Sequence, residues 1–167
     1  MDAERCVGCH ACELACRNAN DLLDDVGYMN VTTIGPELAA DGSPVLFFLP
    51  LNCMHCGKPY CMDVCPTKAI TKRADGIVLI DTAKCMGCKF CQWVCPFGAP
   101  QFNARHGYME KCKLCVTRVD EGMQPACVKG CHMKALKFGR LGELSAQVRE
   151  RVARRIVFNP QMLQSLR

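Results

Sequence analysis

Apolar residues stand four apart at Leu144, Val148, Val152 and Ile156, and Arg149, Arg151, Arg154 and Arg155 crowd the positions around them. That period is the stripe of an amphipathic helix, so the spacing predicts a basic helix near the C-terminus. Such a helix either packs on the protein's own body or serves as a docking arm for a partner. The irregular tail Asn159-Pro160-Gln161-Met162-Leu163 speaks for the arm. Earlier in the chain, Gly27 to Ile34 and Val45 to Leu49 flank a turn signal, Asp41-Gly42-Ser43-Pro44, and predict a β-hairpin. Ile77-Val78-Leu79-Ile80 predicts one more short strand. The longest apolar run, Val45 to Leu49 continuing past Pro50 to Leu51, is far short of the roughly 20 residues a membrane helix needs. No direct membrane insertion is expected. Met1 to Cys6 leaves no room for the basic and apolar regions of a signal peptide. A soluble, cytoplasmic protein without an export signal of its own is expected.

Cysteine changes this picture. Sixteen of the 167 residues are Cys, a level found in disulfide scaffolds and metal proteins and rarely in ordinary enzyme domains. A reducing cytosol keeps thiols reduced, so metal ligation is the default reading.

All sixteen fall into four groups of four. Cys6, Cys9, Cys12 and Cys16 form the first, and Cys85, Cys88, Cys91 and Cys95 the third; both have the CxxCxxCxxxC spacing of bacterial ferredoxins. Cys53, Cys56, Cys61 and Cys65 form the second, and Cys112, Cys115, Cys127 and Cys131 the fourth, each with a longer middle loop. Closely spaced cysteines let a tight loop present thiolates to different corners of a cubane. In two-cluster ferredoxins the fourth cysteine, three residues on, ligates the neighbouring cluster. Gly8 and Gly87 allow the close backbone approach a cluster requires. Zinc is the competing metal, but a tetrahedral zinc site uses two CxxC knuckles and has no use for a third thiol in the same run. The long gap of the fourth group suits a zinc ribbon better than the others do.

The formal charge is +5 with cysteine counted as neutral thiol, which alone suggests an acidic partner or nucleic acid. Sixteen ligating thiolates and four oxidised [4Fe-4S] cores shift the total to roughly −3, so the Lys and Arg residues read as counter-charges for clusters. Aromatics are sparse and offer no base-stacking platform, so no nucleic-acid partner is expected.

Asp2-Ala3-Glu4-Arg5-Cys6-Val7-Gly8-Cys9 echoes Asp81-Thr82-Ala83-Lys84-Cys85-Met86-Gly87-Cys88, and Pro59 to Cys65 echoes Pro125 to Cys131. The chain reads as a duplicated two-motif unit. Repeat order alone allows the first group to pair with the second and the third with the fourth. The stretch from Cys65-Pro66 through Ile77–Ile80 to Cys85 has instead the layout of a compact two-cluster ferredoxin, which pairs the second with the third and leaves the first with the fourth. On that pairing one cluster takes Cys6, Cys9, Cys12 and Cys131, and the next takes Cys112, Cys115, Cys127 and Cys16. A third takes Cys53, Cys56, Cys61 and Cys95, and the fourth takes Cys85, Cys88, Cys91 and Cys65.

The expected fold class is α+β: two ferredoxin-like [4Fe-4S] modules with short strands and helices, a β-hairpin insertion and a C-terminal helix. The double-ferredoxin domain is expected over residues 1–140, with an inner module at about 50–100, an outer module from about 1–20 plus 105–140, and the hairpin at about 27–50. Residues 141–167 hold the helix and tail. With so few residues per cluster, iron-sulfur bonds must supply much of the folding energy. Trp93 is expected to pack beside a cluster. Lys89, Lys113 and Lys129 lie between ligands, where a positive charge either raises a cluster's potential or faces solvent. His10, His55 and His132 are not needed as ligands.

The four motifs in this order, the tail Cys65-Pro66-Thr67-Lys68-Ala69-Ile70 and the stretch from Cys85 to Gly98 resemble the four-cluster iron-sulfur subunits of the dimethyl sulfoxide reductase family of molybdenum and tungsten enzymes. The resemblance covers residues 1 to about 140. It implies the nested pairing above and a chain of clusters leading from a pterin-bound metal in a separate catalytic subunit. Similar small subunits serve formate dehydrogenases, polysulfide and tetrathionate reductases, and tungsten aldehyde oxidoreductases that carry a flavin subunit. Some of the family work with a membrane-anchor subunit, and some reach the periplasm folded on a partner's twin-arginine signal. The chain departs from the family in being short and in having His132 where Pro often follows the last Cys.

No GxGxxG after a strand, P-loop or Ser-His-Asp pattern competes. The expected role is a non-catalytic electron-transfer subunit, with a free polyferredoxin and a zinc-bound scaffold as rivals.

Overall fold

The computed structural model describes residues 1–22 and 26–158, without the side chains of Arg155, Ile156 and Phe158. The predicted tail from Asn159 lies outside the described residues. Two compact units result, Met1–Leu136 and a second from Lys137 onward.

In the first unit, helix α1 (Ala11–Asn20) puts Cys12 and Cys16 four residues apart, one turn of helix, and both are buried. It ends where Asp21 turns left-handed. Strands β1 (Met29–Leu38) and β2 (Pro44–Asn52) make the predicted hairpin, several residues longer than its apolar runs suggest. The turn is tied by Asp41 Oδ1, which accepts from the Ser43 amide at 2.9 Å and its hydroxyl at 2.6 Å. A register shift between Ile34 and Glu37 sits near the turn.

Four short elements follow: helix α2 (Tyr60–Asp63), the antiparallel pair β3 (Ile70–Lys72) and β4 (Val78–Ile80), and helix α3 (Phe90–Trp93). Strand β4 is the one expected at Ile77–Ile80. A second antiparallel pair, β5 (Gln101–Asn103) and β6 (Tyr108–Glu110), leads into helices α4 (Val116–Asp120) and α5 (Ala126–Lys129).

Cysteines are part of both apolar cores. Ile70, Val78, Met109 and Cys91 form one, with Cys61, Cys65 and Cys85 against it. Met29, Cys12 and Cys16 form the other, with Tyr28, Val31, Cys127 and Leu136 against it. Long-range hydrogen bonds close the unit. The Asp2 amide donates to the Ala135 carbonyl at 2.7 Å, which brings the first motif to the last. Gln101 clamps Gly27 through two 2.8 Å hydrogen bonds, accepting from its amide and donating to its carbonyl. Arg73 reaches from the β3–β4 turn to both carboxylate oxygens of Asp120 at 2.8 and 2.7 Å.

The second unit contains helix α6 (Leu141–Phe158), in agreement with the predicted amphipathic helix. Val148 and Val152 of its stripe are exposed, and Arg154 pairs with Glu150 one turn earlier at 2.8 Å. Among the described residues no helix is long and apolar enough to cross a membrane.

Candidate metal centres

Each cysteine motif begins with the same backbone device. The residue just before the second cysteine is left-handed in all four: Gly8 (φ 66°), His55 (43°), Gly87 (70°) and Leu114 (54°). Glycine takes this conformation freely, whereas His and Leu do so at about 1–2 kcal/mol. The turn curls the loop around its thiols and aims amides inward, so the Leu114 amide donates to Cys112 Sγ at 3.4 Å. A second left-handed residue recurs three positions after the last cysteine at Lys68, Gly98 and Lys134. Beyond it the Ala135 amide donates to Cys131 Sγ at 3.2 Å.

The thiols gather in sets that each draw on two motifs. Cys6, Cys9, Cys12 and Cys131 line one cavity, walled by Val31, Pro50 and Leu136. Cys65, Cys85, Cys88 and Cys91 line another, walled by Ile70, Ile80 and Met109. Cys16 lies among Cys112, Cys127 and Cys115, and Cys61 lies near Cys53 and Cys95. Helices α1 and α5 make the outer groupings possible by packing together, which brings Cys12 to Cys131 and Cys16 to Cys127.

Burial is the main force on these thiols. Together with neighbouring cysteines it pushes Cys12 up to about 11 and Cys16, Cys91 and Cys127 up to about 12. Cys65 goes the other way: burial raises it, but donors from the Thr67 hydroxyl and the amides of Ala69, Ile70 and Thr67 outweigh that and leave it lowered. Crowded, buried thiolates need cationic iron to exist at neutral pH. Among the described residues no three His, Cys, Asp or Glu side chains converge on one point as a mononuclear ion requires. Two of the thiol sets ring apolar cavities instead, an arrangement that fits a polynuclear core with thiolates at its corners.

Several donors reach sulfur. Asn20 Nδ2 lies 3.7 Å from Cys16 Sγ and 4.0 Å from Cys115 Sγ, and Asn52 Nδ2 lies 3.9 Å from Cys112 Sγ. The Met109 amide donates to Cys85 Sγ at 3.3 Å. His55 accepts from the Val78 amide through Nδ1 at 2.9 Å, and burial, then Lys111, lower its pKa to about 4.

Trp93 departs from expectation. It is 81% exposed, with the Phe90 ring at 6.4 Å between centroids. It stands two residues past Cys91 on a one-turn helix, and the side that buries Cys91 leaves Trp93 outward. Lys89, Lys113 and Lys129 are exposed, Lys89 lying over the Phe102 ring at 4.2 Å. The lysine that does lie deep is Lys111, which the cysteine spacing does not single out. It precedes Cys112 just after a short strand, with no periodicity to mark it.

Known proteins bear on these centres directly. The 4Fe-4S dicluster domain family matches residues 44–141, and a second 4Fe-4S dicluster domain matches residues 5–69. The probable anaerobic dimethyl sulfoxide reductase subunit YnfG of Escherichia coli (strain K12) is 42% identical over 150 residues, 86% of this chain and 73% of its own length. The B subunit of anaerobic dimethyl sulfoxide reductase from the same strain is 41% identical over the same shares. The formate dehydrogenase iron-sulfur subunit of Wolinella succinogenes is 37% identical over 92% of this chain and 86% of its own. With sixteen cysteines gathered by two dicluster domains, the chain belongs to the electron-transfer iron-sulfur subunits of the dimethyl sulfoxide reductase family and carries four [4Fe-4S] clusters.

Proposed function

We propose that this subunit relays single electrons between a molybdenum- or tungsten-pterin catalytic subunit and a second redox partner, such as a flavin or membrane-anchor subunit. Cys6, Cys9, Cys12 and Cys131 hold one cluster, and Cys16, Cys112, Cys115 and Cys127 the next. Cys53, Cys56, Cys61 and Cys95 hold a third, and Cys65, Cys85, Cys88 and Cys91 the fourth. The inner module spans about residues 50–100, the outer about 1–20 with 105–140, and the hairpin is an insertion at about 27–50.

The observation that carries the ligand sets is the gathering of thiols from two different motifs, with two of the sets each lining one apolar cavity. The clusters supply the one-electron chemistry; the chain binds them, excludes water with Val31, Ile70, Ile80 and Met109, and directs donors at their sulfurs. The catalytic partner rests on the relatives, which include an electron transfer subunit of thiosulfate reductase in Salmonella typhi, 40% identical over 87% of this chain and 77% of its own.

The test is anaerobic purification of the native protein with whatever accompanies it, followed by iron, sulfide, zinc, molybdenum and tungsten analysis per copy of this chain. About sixteen irons with molybdenum in a larger companion supports a reductase or formate dehydrogenase type. Tungsten in the companion selects the aldehyde oxidoreductase type. Sixteen irons on a chain that migrates alone makes it a shuttle, and zinc in place of iron overturns the proposal.

A further inference from the structure

Lys111 is the one buried cation among the described residues, 4% exposed. Its Nζ donates to the Val78 carbonyl in β4 and to the Cys112 carbonyl at 3.1 Å. Both partners are neutral acceptors, which suits an all-donor ammonium. No carboxylate pairs with it among the described residues. A buried charge without a counter-ion is strongly unfavourable, so the compensating negative charge has to come from elsewhere nearby.

Two thiol sets meet around it. The Lys111 charge lowers both Cys61 and Cys112 against the burial that raises them. Cys112 and Cys53 interact with one another, and Asn52 spans the pair, donating from Nδ2 to the Cys53 carbonyl at 3.0 Å and towards Cys112 Sγ at 3.9 Å. Cys53 and Cys61 belong to one proposed cluster and Cys112 to another. An oxidised [4Fe-4S] core with four thiolates carries a charge of about −2, so this seam supplies the counter-ions that Lys111 otherwise lacks.

We infer that Lys111 and Asn52 are tuning residues at the seam between two clusters, Lys111 raising the reduction potential of both and Asn52 that of the Cys112 cluster alone. The inference rests on the ligand sets proposed above. Each reduction adds one electron and one negative charge, which a fixed cation favours and a donor to sulfur stabilises. Lys111 thereby eases the placing of an electron on either side of the step that joins the two modules.

The test is an EPR-monitored redox titration of the full chain, purified with its partners, in wild type, Lys111→Gln, Lys111→Arg and Asn52→Leu, with iron counted in each. Wild type must first show four clusters and about sixteen irons; fewer would refute the ligand sets and leave the tuning idea without a basis. Given four, Lys111→Gln is expected to disfavour reduction of two clusters about tenfold, a fall of about 59 mV for a one-electron couple. Lys111→Arg is expected to leave all four midpoints in place. Asn52→Leu is expected to lower one midpoint, and that cluster is one of the two moved by Lys111→Gln. Four unmoved midpoints in a fully loaded Lys111→Gln protein, or an equal shift of all four, overturns the inference. Loss of clusters from Lys111→Gln makes Lys111 a structural brace and overturns it too.

Discussion

A β-carbon added at Gly130 would stand 2.8 Å from that of Ala15, so helices α5 and α1 meet through a position that tolerates no side chain. The Ala126 carbonyl at 3.2 Å closes the other side. Overpacking of this kind costs about 1–3 kcal/mol. Gly130→Val is expected to push the helices apart and to halve the iron content, because Cys12, Cys16, Cys127 and Cys131 all ride on this pair. Retention of full iron in the variant would show that the helix packing is not needed for loading.

Gly87 and Gly8 occupy equivalent places in their motifs and have similar left-handed φ values, yet their surroundings differ. A β-carbon at 87 would lie 2.4 Å from the Gly107 carbonyl oxygen, which is backbone, while one at 8 would meet the Phe48 ring, which can turn aside. Gly8→Ala should cost only the left-handed penalty of about 1–2 kcal/mol. Gly87→Ala is expected to lose the cluster at Cys85, Cys88 and Cys91. Iron content of the two variants, compared side by side, decides; equal loading would contradict the asymmetry.

Cys65→Ser is expected to disturb the EPR signal of the cluster at Cys85, Cys88 and Cys91 and to spare the one held by the rest of its own motif. Cys95→Ser should do the reverse. If each variant instead disturbs the cluster of its own motif, the crossed ligand sets are wrong.

A thiol that leaves iron takes up a proton wherever the pH is below its metal-free pKa. Burial raises Cys16, Cys91 and Cys127 to about 12, above the ordinary value of 9.0, so release takes up protons through the whole neutral range and acid favours it. Stripping by a chelator is therefore expected to run faster at pH 6 than at pH 8. The metal-free cage has the opposite limit: with folded pKa values above the unfolded ones, its thiols stabilise it below pH 9 and cease to do so as pH climbs from 9 towards 12. Bleaching of the iron-sulfur absorbance followed at several pH values tests the first, and circular dichroism of the stripped chain the second. Stripping rates that do not change with pH would contradict the link.

Trp93→Ala is expected to leave iron content intact and to change stability by no more than about 0.5 kcal/mol, since the ring is exposed. A loss of clusters would mean that the ring shields one of them after all.

What could be read from the sequence was whatever repeats. Cysteine spacing announced the cofactor, the turn signal Asp41-Gly42-Ser43-Pro44 between its flanking runs the hairpin, and the four-residue period at Leu144 the helix α6. The left-handed turns were visible where Gly8 and Gly87 mark them, and hidden at His55 and Leu114, which adopt the same conformation without the residue that favours it. Lys111 and Asn52 were hidden for a different reason: their importance comes from Val78 and Cys112, and from Cys53 and Cys112, meeting in space. Strands β5 and β6 are three residues each, too short for alternation to register.

The packing of α1 against α5 also orders events during synthesis. Gly130, against which Ala15 rests, follows helix α1 out of the ribosome about 115 residues later; at translation rates of about 5–20 residues per second, that is a delay of roughly 6–23 s. Through that interval Cys12 and Cys16 sit on a nascent segment without the helix that buries them. The thiols of the first motif are thus made well before they are enclosed, and the growing chain depends on a reducing, iron-loading environment until the fourth motif arrives.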